Sequence, residues 1–243
     1  MLHEARTLSW PRVKALAEAG ALALLPIGST EAHGPHLPLS VDVVIAEEVC
    51  RRLALRRAGD AVMFPAITYA LTDFAAPFAG TVSLNAEVAR ALISGVLRGM
   101  VSSGFGTIAV INHHLEPAHF RVVHEAARTI TDARVVVTDH RRAPTGPRLG
   151  EEFMHGGAHA GFYETSLMLA AAPALVDEAC RRALPEVTAS LVTAIKAGAK
   201  DFLEAGGPDA YFGAPATASA EEGERLFGIL VDAAEAALAP TPL

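Results

Sequence analysis

Short runs of continuous apolar residues, each followed by a stretch with helical periodicity, constrain the fold of this chain more than any other feature. ALALLPI (21–27), AVMFPAITY (61–69), TIAVIN (107–112) and RVVVTD (134–139) are unbroken or nearly so. A strand with one wet face alternates apolar and polar residues, whereas a strand covered on both faces does not need to. Between these runs, helical spacing predicts helices over 9–19, 43–57, 85–102, 117–131, 160–172 and 220–238. Ser9 and Asn85 are placed to cap two of them, and Gly20 to stop the first. The expected fold is α/β, in three layers: a mostly parallel sheet with helices on both faces. Residues 1–243 are expected to form one domain. The Gly-, Pro- and Arg-rich stretch 140–158 is expected to be a long loop. No element is assigned to 186–217, and His3 is expected to be disordered.

Charge and composition remove several functions. Asp and Glu number 27 against 20 Lys and Arg, a net charge of −7, so no basic surplus exists to neutralise nucleic-acid phosphates. Aromatics make up 6% of residues, which leaves little for base stacking. Cys50 and Cys180 are too few for a disulfide framework or a four-thiolate zinc site. The amino terminus lacks the pattern of a signal peptide, and no apolar run approaches the roughly 18–20 residues that span a bilayer. The expectation is a cytoplasmic protein acting on a small molecule, with no nucleic-acid or membrane partner. No G-x-S-x-G elbow or phosphate-binding glycine loop occurs, so serine hydrolysis and nucleotide cofactors lack their signatures.

Most of the histidines fall in three groups at strand ends or in loops. The first is Glu31-Ala32-His33, with His36 and Asp42 downstream. The second is His113-His114-Leu115-Glu116, and the third runs from His155 to His159 with Glu164 beyond it. Glu31 with His33, and His114 with Glu116, each pair a carboxylate and an imidazole at i, i+2. On an extended segment such side chains point the same way. Imidazole nitrogen with carboxylate oxygen suits zinc, manganese or iron(II). Glu31, His33, Asp42, His114 and Glu116 exceed what one tetrahedral ion needs, and two ions sharing a carboxylate would use them all. The plainer alternative is a set of capping and loop-bracing groups, with Asp42 only capping a helix. His119 and His124 are expected as surface or packing residues. Arg141 and Arg142 either grip an anionic substrate or lie on a solvated loop.

At these same groups the chain resembles the creatininase (creatinine amidohydrolase) family. PIGSTEAHGPHLPLSVD (26–42) is similar, without gaps, to P-x-G-S-x-E-Q-H-G-P-H-L-P-L-x-x-D. FAGTVSL (78–84), HAGFYETS (159–166) and FGAPATASAEEG (212–223) resemble further family motifs. The resemblance implies a creatininase-like fold, homo-oligomers that are often hexamers, and two divalent ions per chain (Zn, Mn or Fe). It implies that Glu31, Asp42 and His114 hold one ion, that His33, Asp42 and Glu116 hold the other, and that His159 is catalytic. Glu164 is expected either to orient His159 or brace the site, or to be a helix residue satisfied by backbone.

Departures from the family pattern bear on substrate. Leu115 stands where the creatinine-hydrolysing branch has Tyr. Ala158 replaces the acidic residue before the catalytic histidine, and Ala214 the Asp of the tail motif. His113 fills the glycine position of the usual N-G-H. Leu115 and Ala158 are therefore the expected substrate-pocket residues. The expected reaction is metal-dependent hydrolysis of a C–N bond in a small, cyclic, non-peptide amide, with poor use of creatinine. Peptide maturation, hydrolysis of a cyclic ketone, and a non-catalytic metal-binding role are the alternatives.

Overall fold

Alternate residues of the central strands are buried in two different cores, which is why those strands carry so few polar side chains. The structure, a computed structural model, describes residues 1–239. Its strands are β1 (Leu2–Glu4), β2 (Leu22–Ile27), β3 (Ala61–Met63), β4 (Thr107–Asn112) and β5 (Arg134–Val137). Its α-helices are α1 (Trp10–Glu18), α2 (Val41–Arg56), α3 (Ala86–Ser102), α4 (Pro117–Arg128), α5 (Glu151–His155), α6 (Phe162–Ala171), α7 (Glu178–Ala183), α8 (Leu191–Ala197) and α9 (Ala220–Leu238). The sheet is parallel throughout, in the order β1-β3-β2-β4-β5. Leu22, Leu24, Ala109 and Ile111 face a core shared with α2, α6 and α9. Ala23, Leu25, Ile27, Ile108 and Val110 face the opposite core, shared with α1, α3 and α4. Burying a side chain such as Leu24 or Leu25 contributes about 1.5–3 kcal/mol. The expected three-layer α/β arrangement is the observed one.

The connections decide where a site can form. The chain leaves β2 through α2 on one face to reach β3. It then returns through α3 on the other face to β4, on the far side of β2. The loops after β2 and β4 therefore part in opposite directions and leave a crevice at their carboxyl ends. Gly28 lets the end of β2 run against the start of α2, since a Cβ there would come within 2.5 Å of the Val43 amide nitrogen.

Several elements differ from the sequence reading. His3 is not disordered: it lies in β1, and its Nε2 is 2.9 Å from Asp60 Oδ1. The strand expected within 61–69 stops at Met63, and Pro65, which follows closely, has no amide proton to continue the ladder. The 140–158 stretch contains α5 and a 3-10 turn over Gly146–Leu149. The unassigned 186–217 region holds α8. The unpredicted α7 is held from outside, by the buried Arg181 donating to the carbonyls of Pro215 and Ala216 at 2.9 and 2.8 Å. Asn85 caps α3 by accepting from the Val88 amide at 2.9 Å, whereas Ser9 precedes α1 without a side-chain capping bond. No described helix is long and apolar enough to cross a membrane.

Candidate metal centre

The loops after β2 and β4 and the first turns of α2 and α6 bring buried acids and imidazoles together. Glu31 and His33 stand on the loop after β2, Asp42 in the first turn of α2, His114 just past β4, and Glu164 in the first turn of α6. All five are buried. His114 Nδ1 is 3.1 Å from Glu31 Oε1 and 3.1 Å from Asp42 Oδ2. His33 Nε2 is 3.7 Å from Glu31 Oε1, 3.7 Å from Asp42 Oδ1 and 3.5 Å from Glu164 Oε2. Asp42 thus faces both imidazoles and does not merely cap α2. Ser29 donates to its Oδ2 at 2.8 Å. Thr72 donates to Glu31 Oε2.

The opposite nitrogen of each imidazole fixes what this cluster can bind. His114 Nε2 donates to the Leu71 carbonyl at 2.8 Å, and His33 Nδ1 donates to the Glu31 carbonyl at 3.1 Å. A carbonyl can only accept, so each neutral ring would turn a lone pair toward carboxylate oxygens. Either the ring carries a second proton or a cation lies between. His33 Nε2 has no hydrogen-bond partner among the described residues. Backbone carbonyls that set the tautomer of an imidazole in this way are the outer support of many metal-ligating histidines. The donor set therefore fits divalent ions.

Electrostatics point in the same direction. Burial lowers the affinity of His33 for a proton, but the carboxylates of Glu164, Asp42 and Glu31 outweigh it and raise its pKa to about 9. His114 is likewise raised by Glu31 and Asp42 against the effect of burial. Burial pushes the Asp42 carboxyl up, yet the facing imidazoles of His113, His114 and His33 hold it well below the usual carboxylate range. The cluster attracts positive charge, whether protons or metal ions supply it.

The expected residues are distributed unevenly. Glu31, Asp42 and His114 come together as one compact group of potential ligand atoms. Beside His33 and Asp42 the compact group contains Glu164, not the expected Glu116. Glu116 lines the same cavity, accepts from the Phe74 amide at 3.4 Å, and is pushed up to about 7 chiefly by burial. His159 lies over His33 with ring centroids 4.3 Å apart, and its Nε2 donates to the Ala32 carbonyl at 2.9 Å. Its pKa is lowered to about 3, first by burial and then by His33. Glu164 makes no hydrogen bond to His159 among the described residues. One of its oxygens accepts from the Ala160 amide at 2.7 Å. His36 meets Thr165 at 2.9 Å, so it braces the loop.

Other contributors carried little signal in the sequence. His113, beside His114, reaches the same Asp42 carboxylate. Its Nδ1 lies 3.3 Å from Asp42 Oδ1, and its Nε2 lies 3.2 Å from the Tyr163 hydroxyl. Asn112 holds the His114 carbonyl at 2.8 Å and is itself held by His119 at 3.1 Å. Ser29 lies within the family-like segment 26–42 and Thr72 within no motif, and only the fold reveals the partners of their hydroxyls. Glu152 accepts from the amides of Phe162 and Ala214, both at 2.7 Å, and so ties the start of α6 to the tail motif.

The cluster forms the floor of a cavity of about 550 Å³. Leu115 and Ala158 line it together with Phe74, Phe153 and Phe202. Phe202 covers His159 with ring centroids 4.2 Å apart. Trp10 is 76% exposed on α1 and takes no part in this lining.

Comparison with known proteins finds similarity at the level of family, sequence and structure. The family model described as creatininase, creatinine amidohydrolase, matches residues 6–238. A mycofactocin precursor peptide peptidase from Mycobacterium ulcerans (strain Agy99) is 31% identical over 217 residues, covering 86% of this chain and 81% of that protein. A creatinine amidohydrolase from Pseudomonas putida is 31% identical over 189 residues, covering 70% of this chain and 72% of that protein. A solved structure described as "Creatininase Mn" superposes with a TM-score of 0.75 at 26% identity, covering 96% of each chain.

Proposed function

This chain belongs to the creatininase family, and from that premise we propose that it is a metal-dependent hydrolase opening the C–N bond of a small cyclic amide. One observation carries the reading. His33 and His114, their far nitrogens committed to backbone carbonyls, turn their remaining nitrogens toward the shared carboxylate of Asp42 on the floor of the cavity. Glu31, Asp42 and His114 would hold one divalent ion. His33 and Asp42 would hold a second, with Glu116 or Glu164 as its further carboxylate. Zinc, manganese or iron suits these donors. When bound, two such ions supply a Lewis acid for the amide carbonyl and an acidified water.

The remaining chemistry belongs to the chain itself. Because His159 Nε2 donates to Ala32, its Nδ1 is the nitrogen left to take up and return a proton. Phe202 against one ring limits its motion and keeps bulk water from that face. Leu115 and Ala158 offer the substrate apolar surface and no side-chain hydrogen bond. Glu164 supports the site by adding a buried carboxylate beside His33, not by orienting His159.

A second reading has a specific observation behind it: a relative named as a precursor-peptide peptidase aligns over most of both chains. The same donor set would serve a peptide C–N bond. The deciding experiment is metal analysis of the purified protein combined with turnover on hydantoins, lactams and short peptides. Hydrolysis of a cyclic amide well above that of any peptide supports the first reading. Peptide cleavage alone would replace it with the second.

A further inference from the structure

The cavity above the candidate metal centre is not uniform in charge. Its floor is acidic: Glu31, Asp42, Glu116 and Glu164 all contribute to the lining. Its walls are largely apolar, from Leu115, Phe153, Met154, Leu191 and Phe202. Two cations, Arg142 on the loop before α5 and Lys196 on α8, line the same space and form no ion pair among the described residues. Arg141 differs. It is bound to Asp139 at 2.9 Å and its guanidinium lies 3.3 Å over the Phe120 ring, so its charge is already engaged. Of the two adjacent arginines, Arg142 is the one with its charge available to a ligand.

We propose that the substrate carries a carboxylate separated from its scissile amide by apolar carbons, and that Arg142 and Lys196 select for it. The amide carbonyl belongs at the acidic floor, where bound metal ions would offset the negative charge. A carboxylate would be repelled by the acids not neutralised there and drawn toward the free cations. The apolar walls take the carbon skeleton between the two ends. A carboxylated cyclic amide and the free carboxyl terminus of a short peptide both present this chemistry. The inference uses the amide-hydrolase reading only to say which bond sits at the floor.

The test is a binding titration on the manganese-loaded protein with two matched pairs. One pair is hydantoin-5-propionate and its carboxamide; the other is an N-formyl dipeptide with a free and with an amidated carboxyl terminus. Exposed ion pairs are individually weak, so two together should favour the acid of at least one pair about tenfold. The R142Q/K196Q double variant should remove that preference while leaving affinity for the neutral partner unchanged. The pair that shows the preference identifies the source of the carboxylate. No preference in either pair overturns the inference. So does a preference that survives in the double variant, since the carboxylate would then be sitting on the metals. Turnover is read separately on the same compounds: selective binding without hydrolysis would sink the amide-hydrolase reading and leave the anion selectivity standing.

Discussion

His33 and His114, on the floor of the cavity, are each fixed by a backbone carbonyl, and the chain that carries each leaves a central strand. The outer wall comes instead from the loop before α5 and from α5 and α8, which are only five and seven residues long. His33 and His114 cannot turn without breaking bonds to Glu31 and Leu71. Arg142 and Lys196 are exposed and have no partner to break among the described residues. The departures from the family pattern at Leu115 and Ala158 also line this cavity. A scaffold built in this way holds the chemistry constant and leaves substrate choice to the wall, where a change disturbs little else.

This contrast can be broken by mutation. The largest effect should come from the floor: His159→Ala is expected to lose on the order of 10²–10⁴ in kcat while keeping the fold and the bound metal. Loss of metal in that variant would make His159 a ligand. Next in size is a substrate comparison. The cavity supplies phenylalanine rings, but Leu115 and Ala158 supply no hydrogen bond. A missing partner in a closed site costs about 1–3 kcal/mol. Creatinine should therefore show a kcat/KM roughly 5- to 150-fold below that of an apolar 5-alkyl hydantoin. Creatinine as the better substrate would mean that the wall does not set the choice.

A smaller effect is expected one step behind the floor. His113 bridges Asp42 and Tyr163 and touches neither substrate nor cavity. His113→Ala should weaken manganese affinity by about 10- to 100-fold, as loss of an outer support does, with His113→Asn restoring part of it. Titration of the metal followed by electron paramagnetic resonance reads this without relying on turnover. An unchanged affinity would show that Asp42 is held well enough by Ser29 alone. Least of all, Trp10→Ala on the exposed face of α1 should change stability by no more than about 0.5 kcal/mol. Leu24→Ala in the core should cost about 2–5 kcal/mol by the same denaturant melt.

The same division governs how much could be read from the sequence. β2 and β4 were legible because both of their faces are covered, which leaves unbroken apolar runs. Glu31 with His33 was legible because spacing by two puts side chains on one side of an extended chain. Glu116, the residue before α4, lines the cavity, while Glu164 stands in the compact group with His33. Glu164 comes from α6, far along the chain, and only the packing of α6 against α2 brings it in. β1 is a three-residue edge strand whose partner, β3, is remote in sequence. α7 is six residues long, and besides its local Asp177 cap it relies on Arg181 reaching the carbonyls of Pro215 and Ala216, far along the chain.

The central claim is that the floor holds two ions bridged by Asp42. Elemental analysis after dialysis against metal-free buffer, on the wild type and on Asp42→Ala, tests it most directly. The account predicts about two divalent ions per wild-type chain and loss of both in the variant, with the fold intact by circular dichroism. A wild-type chain that binds none, or a folded Asp42→Ala that retains its full complement, would contradict it.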